Sequence, residues 1–146
     1  MALTQVQTGM LGTGAVLQVV QANLPTAIST SSASYVTTGL TASITPKFVT
    51  SKILVLVSGS LYVSSSTTSS YATIYRNGAN ILGTYGFMGI NSTGIIYSGA
   101  GNYLDSPATT SSTTYTIYFN YVGSGAAAYF NIAPSTVSIT LLEIAG

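Results

Sequence analysis

Apolar positions along this chain follow a period of two. Between 114 and 122, Tyr115, Ile117, Phe119 and Tyr121 fall on one side, with Thr114, Thr116, Tyr118, Asn120 and Val122 on the other. Between 136 and 144, Val137, Ile139 and Leu141 alternate with Ser138, Thr140, Leu142 and Ile144. Successive side chains of a strand point to opposite faces, so the first set of each segment is predicted to point into a core. Nowhere do apolar residues recur at i, i+3, i+4 and i+7 between capping residues, so the pattern predicts no amphipathic helix. β-Branched and aromatic runs bounded by Gly, Ser, Asn or Pro predict strands over 15–22, 34–38, 40–45, 52–63, 71–76, 79–83, 93–98, 114–122, 126–132 and 136–144. That many short strands in one domain read as a sandwich or barrel. The expectation is an all-β fold, a jelly-roll-like antiparallel sandwich over 15–146, preceded by a short extended N-terminal arm over 1–14.

Turn chemistry supports this division. Asn77-Gly78 sits between two strand-like runs and predicts a two-residue type I′ hairpin turn, which needs positive φ at both central residues. Pro25, Pro46, Pro107 and Pro134 all fall between predicted strands, where their missing N–H costs no ladder bond. The tracts 64–70 and 108–114 are almost entirely Ser and Thr, and Gly123-Ser124-Gly125 reads as a loop. The first 14 residues hold three Gly and scattered apolar residues. In that arm, Leu3, Val6, Met10 and Leu11 are the candidates for attachment to a partner's sheet edge or pockets.

Composition changes the picture mainly through charge. Of 146 residues, only Lys47, Lys52, Arg76, Asp105 and Glu143 are charged, 3% of the chain, where an average domain has about 25%. Solvation falls instead to 21 Ser and 22 Thr. Three cations cannot supply the phosphate contacts on which nucleic-acid affinity rests. The longest aliphatic run, Ile53 to Val57, is far short of a membrane span. The N-terminus has no basic region followed by an apolar stretch, so no secretory signal is expected.

Chemistry is as sparse as charge. With no Cys and no His, the chain lacks a thiolate nucleophile, the commonest general base and the commonest metal ligands. A glycosidase needs two carboxyl groups flanking one bond at about 5–10 Å, and only Asp105 and Glu143 are available. Their ordinary reading is a turn residue in Leu104-Asp105-Ser106-Pro107, and a C-terminal surface charge or a partner for Lys47, Lys52 or Arg76. Gly12-Thr13-Gly14 lacks the third glycine of a phosphate-binding loop. No catalytic residue, metal site or cofactor is predicted, and a small hydrolase is the remote alternative.

Assembly is the stronger expectation. Few charges give little repulsion between copies. Ile53 to Val57 is apolar on both faces, as is Val16 to Val20 apart from Gln18, and such strands need cover on both faces. The second cover is a neighbouring subunit, or a loop or the arm folded over the sheet. Tyr118, Val122, Leu142 and Ile144 lie opposite the presumed core and are the candidate trimer interface. The eleven Tyr suit interfaces and sugar-stacking surfaces as well as ordinary strand positions.

Several segments together resemble a module of bacteriophage virion proteins found in marine and cyanobacterial phages, in tail-fibre and other structural proteins. They are 15–22, 34–46, 50–63, 72–81, 103–119 and 135–146, about 130 residues, and the most specific pieces are SITP, SKILVLV, RNG, LDSP and ITLLEIAG. More distantly, the layout looks like the trimeric jelly rolls of complement-type and tumour-necrosis-factor-like heads, although Gly59 and Tyr62 depart from the complement spacing. The resemblance implies a non-enzymatic homotrimer on the exterior surface of a virion. With a short arm and no stalk, the expectation is a capsid decoration or cement protein that contacts other virion proteins, the major capsid protein first. The alternative is a tail-fibre or head-fibre tip that binds a host surface glycan.

Overall fold

The computed structural model describes residues 12–64, 68–92, 94–132 and 137–146. Eleven strands appear among them and no helix: β1 (Val16–Leu24), β2 (Ile28–Thr30), β3 (Val36–Ile44), β4 (Lys52–Val63), β5 (Ser70–Arg76), β6 (Ala79–Asn80), β7 (Met88–Ile90), β8 (Tyr97–Asp105), β9 (Thr113–Phe119), β10 (Ala128–Phe130) and β11 (Val137–Ile144). They form two antiparallel sheets. In the first, β1, β11, β4 and β8 lie side by side, with β10 and β2 continuing beside the far end of β4. In the second, β3, β9 and β5 lie side by side, and β6 and β7 share the outer edge of β5. The first long strand pairs with the last, and β3 pairs with β9, the nested strand order of a jelly roll.

The inward faces are those the alternation predicts. Tyr115, Ile117 and Phe119 of β9 meet Ile53, Val55 and Val57 of β4 and Ile139 and Leu141 of β11 in one buried cluster. Phe119 and Phe130 pack with ring centroids 6.0 Å apart. The central strand β4 matches its predicted span residue for residue.

The 34–38 and 40–45 segments, expected as two strands, are one strand bent at Gly39, whose φ is +81°. The ladder to β9 slips between Thr37 and Thr41. Thr38, buried at the slip, repairs it by donating its hydroxyl to the Ile117 carbonyl at 2.8 Å, so the break is a bulge and not a turn. The strand expected at 93–98 runs instead over 97–105. Its glycines hid it, and packing demands them: a Cβ on Gly101 would lie 2.6 Å from the Phe87 ring, and one on Gly99 2.9 Å from the Met88 sulfur.

At the hairpin, Asn77 and Gly78 both take positive φ, 48° and 85°, and Tyr75 and Arg76 pair with Asn80 and Ala79, as the turn requires. Asn77 also ties the turn to β9 by accepting the Thr114 N–H at 2.8 Å. No atom crowds the Gly78 Cβ position, so a substitution there meets only backbone strain. Gly78→Val is expected to cost about 1–2 kcal/mol. Thermal unfolding checks it, and an unchanged melting temperature would contradict the turn's placement.

Candidate functional site

The two carboxylates come first because any hydrolytic site would need them. Asp105 and Glu143 flank Ile53 in one row of the first sheet, each paired with it across a strand. All three side chains point inward and are buried. Two strand spacings put the carboxylate strands about 10 Å apart, but fully buried Ile53 stands between them, so no scissile bond enters that space.

Each carboxylate is occupied by the fold. Asp105 accepts Arg76 Nη1 on both oxygens, at 2.8 and 2.9 Å, and the Tyr115 hydroxyl at 2.6 Å. Burial, and then the bond to Asp105, push the Tyr115 hydroxyl well above its ordinary pKa. Glu143 Oε1 accepts the Lys47 backbone N–H at 2.6 Å and the Ser51 hydroxyl at 2.7 Å. Its Oε2 accepts Gln18 Nε2 at 2.6 Å. Burial alone would raise this carboxyl, yet bonds from Ser51, Gln18 and the backbone at Lys47 and Phe48 outweigh it and hold the pKa below its usual value. The expected assignments are thus corrected. Asp105 is a buried strand end and not a turn residue, and it takes Arg76. Glu143 is no surface charge but a buried tie between β1, the 45–51 connection and β11. Alternation with Val137, Ile139 and Leu141 had already put Glu143 on the inward side. Among the described residues, no group of three or more metal-ligating side chains forms.

The outer face of the first sheet has the opposite character. Register places Val19, Leu142, Leu54 and Leu104 side by side across all four long strands. Flanking rows add Val16 and Ile144 at one end and Leu56 at the other. Val19 is 56% exposed, Leu104 50%, Val16 49% and Leu56 39%; Leu142, Leu54 and Ile144 are half-buried. The one charged side chain on this face is Lys52, at its corner beside Ile144. Next to Leu56 the side chains shrink to Ser58, Ser138 and Ala100, leaving a concavity of about 320 Å³ bordered by Asn102 and Thr140.

The residues expected as one trimer interface lie apart. Leu142 and Ile144 belong to the apolar face just described. Tyr118 is on the outer face of the second sheet, stacked on Tyr75 at 3.9 Å and 20°. Val122 lies beyond the end of β9, 46% exposed, bridged to Ser69. The four therefore do not make a single patch. Val19, Leu54 and Leu104 complete the face, and the signal for Val19 and Leu54 was the apolar character of both sides of Val16–Val20 and Ile53–Val57. Leu3, Val6, Met10 and Leu11 lie outside the described residues. The described chain starts at Gly12, and Gly14 donates its N–H to the Ala145 carbonyl at 2.8 Å.

A scan against protein-family models finds no match, and a search of curated proteins finds none either. Among solved structures, a chain from the structure of infectious bursal disease virus Gt strain is similar over the whole of this chain, with a TM-score of 0.51. Sequence identity is 14%, and this chain spans 43% of the viral chain's length. At that identity the likeness is one of fold.

Proposed function

We propose that this chain is a non-enzymatic structural component of a virion's exterior, of the phage type its motifs resemble. It assembles as a homotrimer and decorates the capsid shell as a cement protein. The observation that carries the reading is the uncharged apolar row running from Val19 to Leu104 across every long strand of one sheet. A contiguous apolar patch of this kind marks an interaction site. The jelly-roll order, the fold likeness to a chain of a virus structure and the commitment of both carboxylates to structural bonds support the same reading.

In this reading Leu142 and Ile144 sit at the subunit contact, and the arm carrying Leu3, Val6, Met10 and Leu11 grips the major capsid protein. Three arms on one trimer make weak single contacts effective. A cement protein occurs in many copies over the head, whereas a fibre tip occurs in few and on an appendage. Gel densitometry of purified virions, with labelled antibody imaged by electron microscopy, is expected to give hundreds of copies distributed over the head. Label confined to the tail would refute the decoration role and promote the fibre-tip alternative.

A further inference from the structure

Five of the eleven tyrosines gather on the outer side of the second sheet, away from the apolar face. Tyr118 stacks on Tyr75, and Tyr35 tilts against Tyr75 with centroids 6.3 Å apart. Tyr85 meets Tyr71 edge to face at 5.2 Å. Beside them Thr41 pairs with Thr116 and Ser43 with Thr114, hydroxyl to hydroxyl, at 2.9 and 2.8 Å. Arg76 and Asp105 are turned to each other at the inward end of β5, and none of the five charged residues lies on this face or on the 81–87 loop.

That loop is held on both flanks. Ile81, Leu82 and Phe87 pack against the core. Asn80 Oδ1 accepts the Thr73 hydroxyl and the N–H groups of Leu82 and Gly83. The Phe87 N–H bonds the Ala72 carbonyl at 3.0 Å, and Gly86 lies so close to β5 that a Cβ there would collide with the Ala72 carbonyl. From the far side the Tyr35 hydroxyl donates to the Thr84 carbonyl, and burial pushes that hydroxyl's pKa up to about 12, so it stays a proton donor. At the crown of this pinned loop Tyr85 is 69% exposed, the most exposed large apolar side chain described.

We infer that this face binds a neutral carbohydrate, with Tyr85 as its stacking platform. A fixed aromatic ring on a face that carries hydroxyls and no charge matches a sugar, whose C–H faces are apolar and whose edges are hydroxyls. An anionic ligand finds no cation here, and an extended peptide cannot pair with β5 beside the loop, since β6 and β7 cover its outer edge. Because the loop is already ordered, binding does not have to order it. The inference goes beyond the virion reading and survives its failure, since the whole face lies within one chain.

The test is titration of the isotope-labelled protein with maltoheptaose, cellopentaose, a mannan fragment and a dextran fragment, read by NMR, with a heparin fragment as the charged comparison. The expected result is saturable binding of at least one neutral member, unchanged by salt, with shifts centred on 71–87. Tyr85→Ala should weaken it roughly tenfold, Tyr85→Phe should retain it, and Tyr97→Ala on the other sheet should leave it unchanged. Tyr85 is exposed, so the alanine variant keeps its fold. Failure of every neutral oligosaccharide to bind, equal binding by Tyr85→Ala, or preference for heparin overturns the inference.

Discussion

Glu143→Ala is expected to remove about 3–5 kcal/mol of stability at neutral pH. That is a large share of the roughly 5–15 kcal/mol a domain possesses. The carboxylate is fully buried and accepts from the Ser51 hydroxyl, the Gln18 amide and the Lys47 backbone N–H. Removing it strands several donors in a site with little water to replace it. Arg76 is the lesser case, because its side chain is 33% exposed and water can solvate it if Asp105 is lost. Denaturant unfolding measures the difference, and a loss below about 1 kcal/mol would show that the donors find other partners.

The same residue makes stability depend on acid. The folded pKa lies below the ordinary value of 4.5. Folding therefore favours the ionised form, and the contribution is complete well above 4.5. It is lost as pH falls through that value and then through the folded pKa. Wild-type stability should drop over this window, and Glu143→Gln should lose that part of the slope while being less stable at neutral pH. An identical acid slope in the variant would mean that Glu143 is not its source.

How much of this was legible from sequence depended on whether the information is local. The strands β9 and β11 announce themselves by period, β4 by its unbroken apolar run, and Asn77-Gly78 by the φ it permits. By contrast, β8 reads Tyr-Ser-Gly-Ala-Gly-Asn-Tyr-Leu-Asp, a poor strand by propensity. It is a strand because it completes β4 and because Phe87 and Met88 occupy the space its side chains would need. The three-residue strands β2 and β7 are made by their partners and carry no period of their own. The layout of the candidate interface was hidden in the same way. Alternation tells which side of its own strand a residue occupies, and it did so correctly for Tyr118 and Leu142. It does not tell which sheet the strand joins, so two outward residues were assigned to one patch although the sandwich sets them on opposite sides. Only register brings Val19 beside Leu142, Leu54 and Leu104, and register is a property of pairs.

The proposed assembly face makes the second large prediction. Leu142→Lys is expected to convert the proposed trimer to a folded monomer. Leu142 lies inside the apolar row between Val19 and Leu54 and is half-buried within its own chain. In a monomer the lysine stem can lie along the row with its ammonium in water, so the cost to folding should stay near 0.5 kcal/mol. In the trimer each copy would have to dehydrate an ammonium against apolar neighbours without a carboxylate nearby, since both acids point into the core. That penalty is several kcal/mol per ion. Light scattering should fall from about three times 14.9 kDa to the single-chain mass, while the melting profile still shows a cooperative transition. Tyr118→Lys, on the other sheet, should leave the mass of the wild type. A trimeric Leu142→Lys protein would mean that this row is not the contact. Dissociation by Tyr118→Lys alone would move the interface to the tyrosine face and place Tyr85 beside a neighbouring subunit.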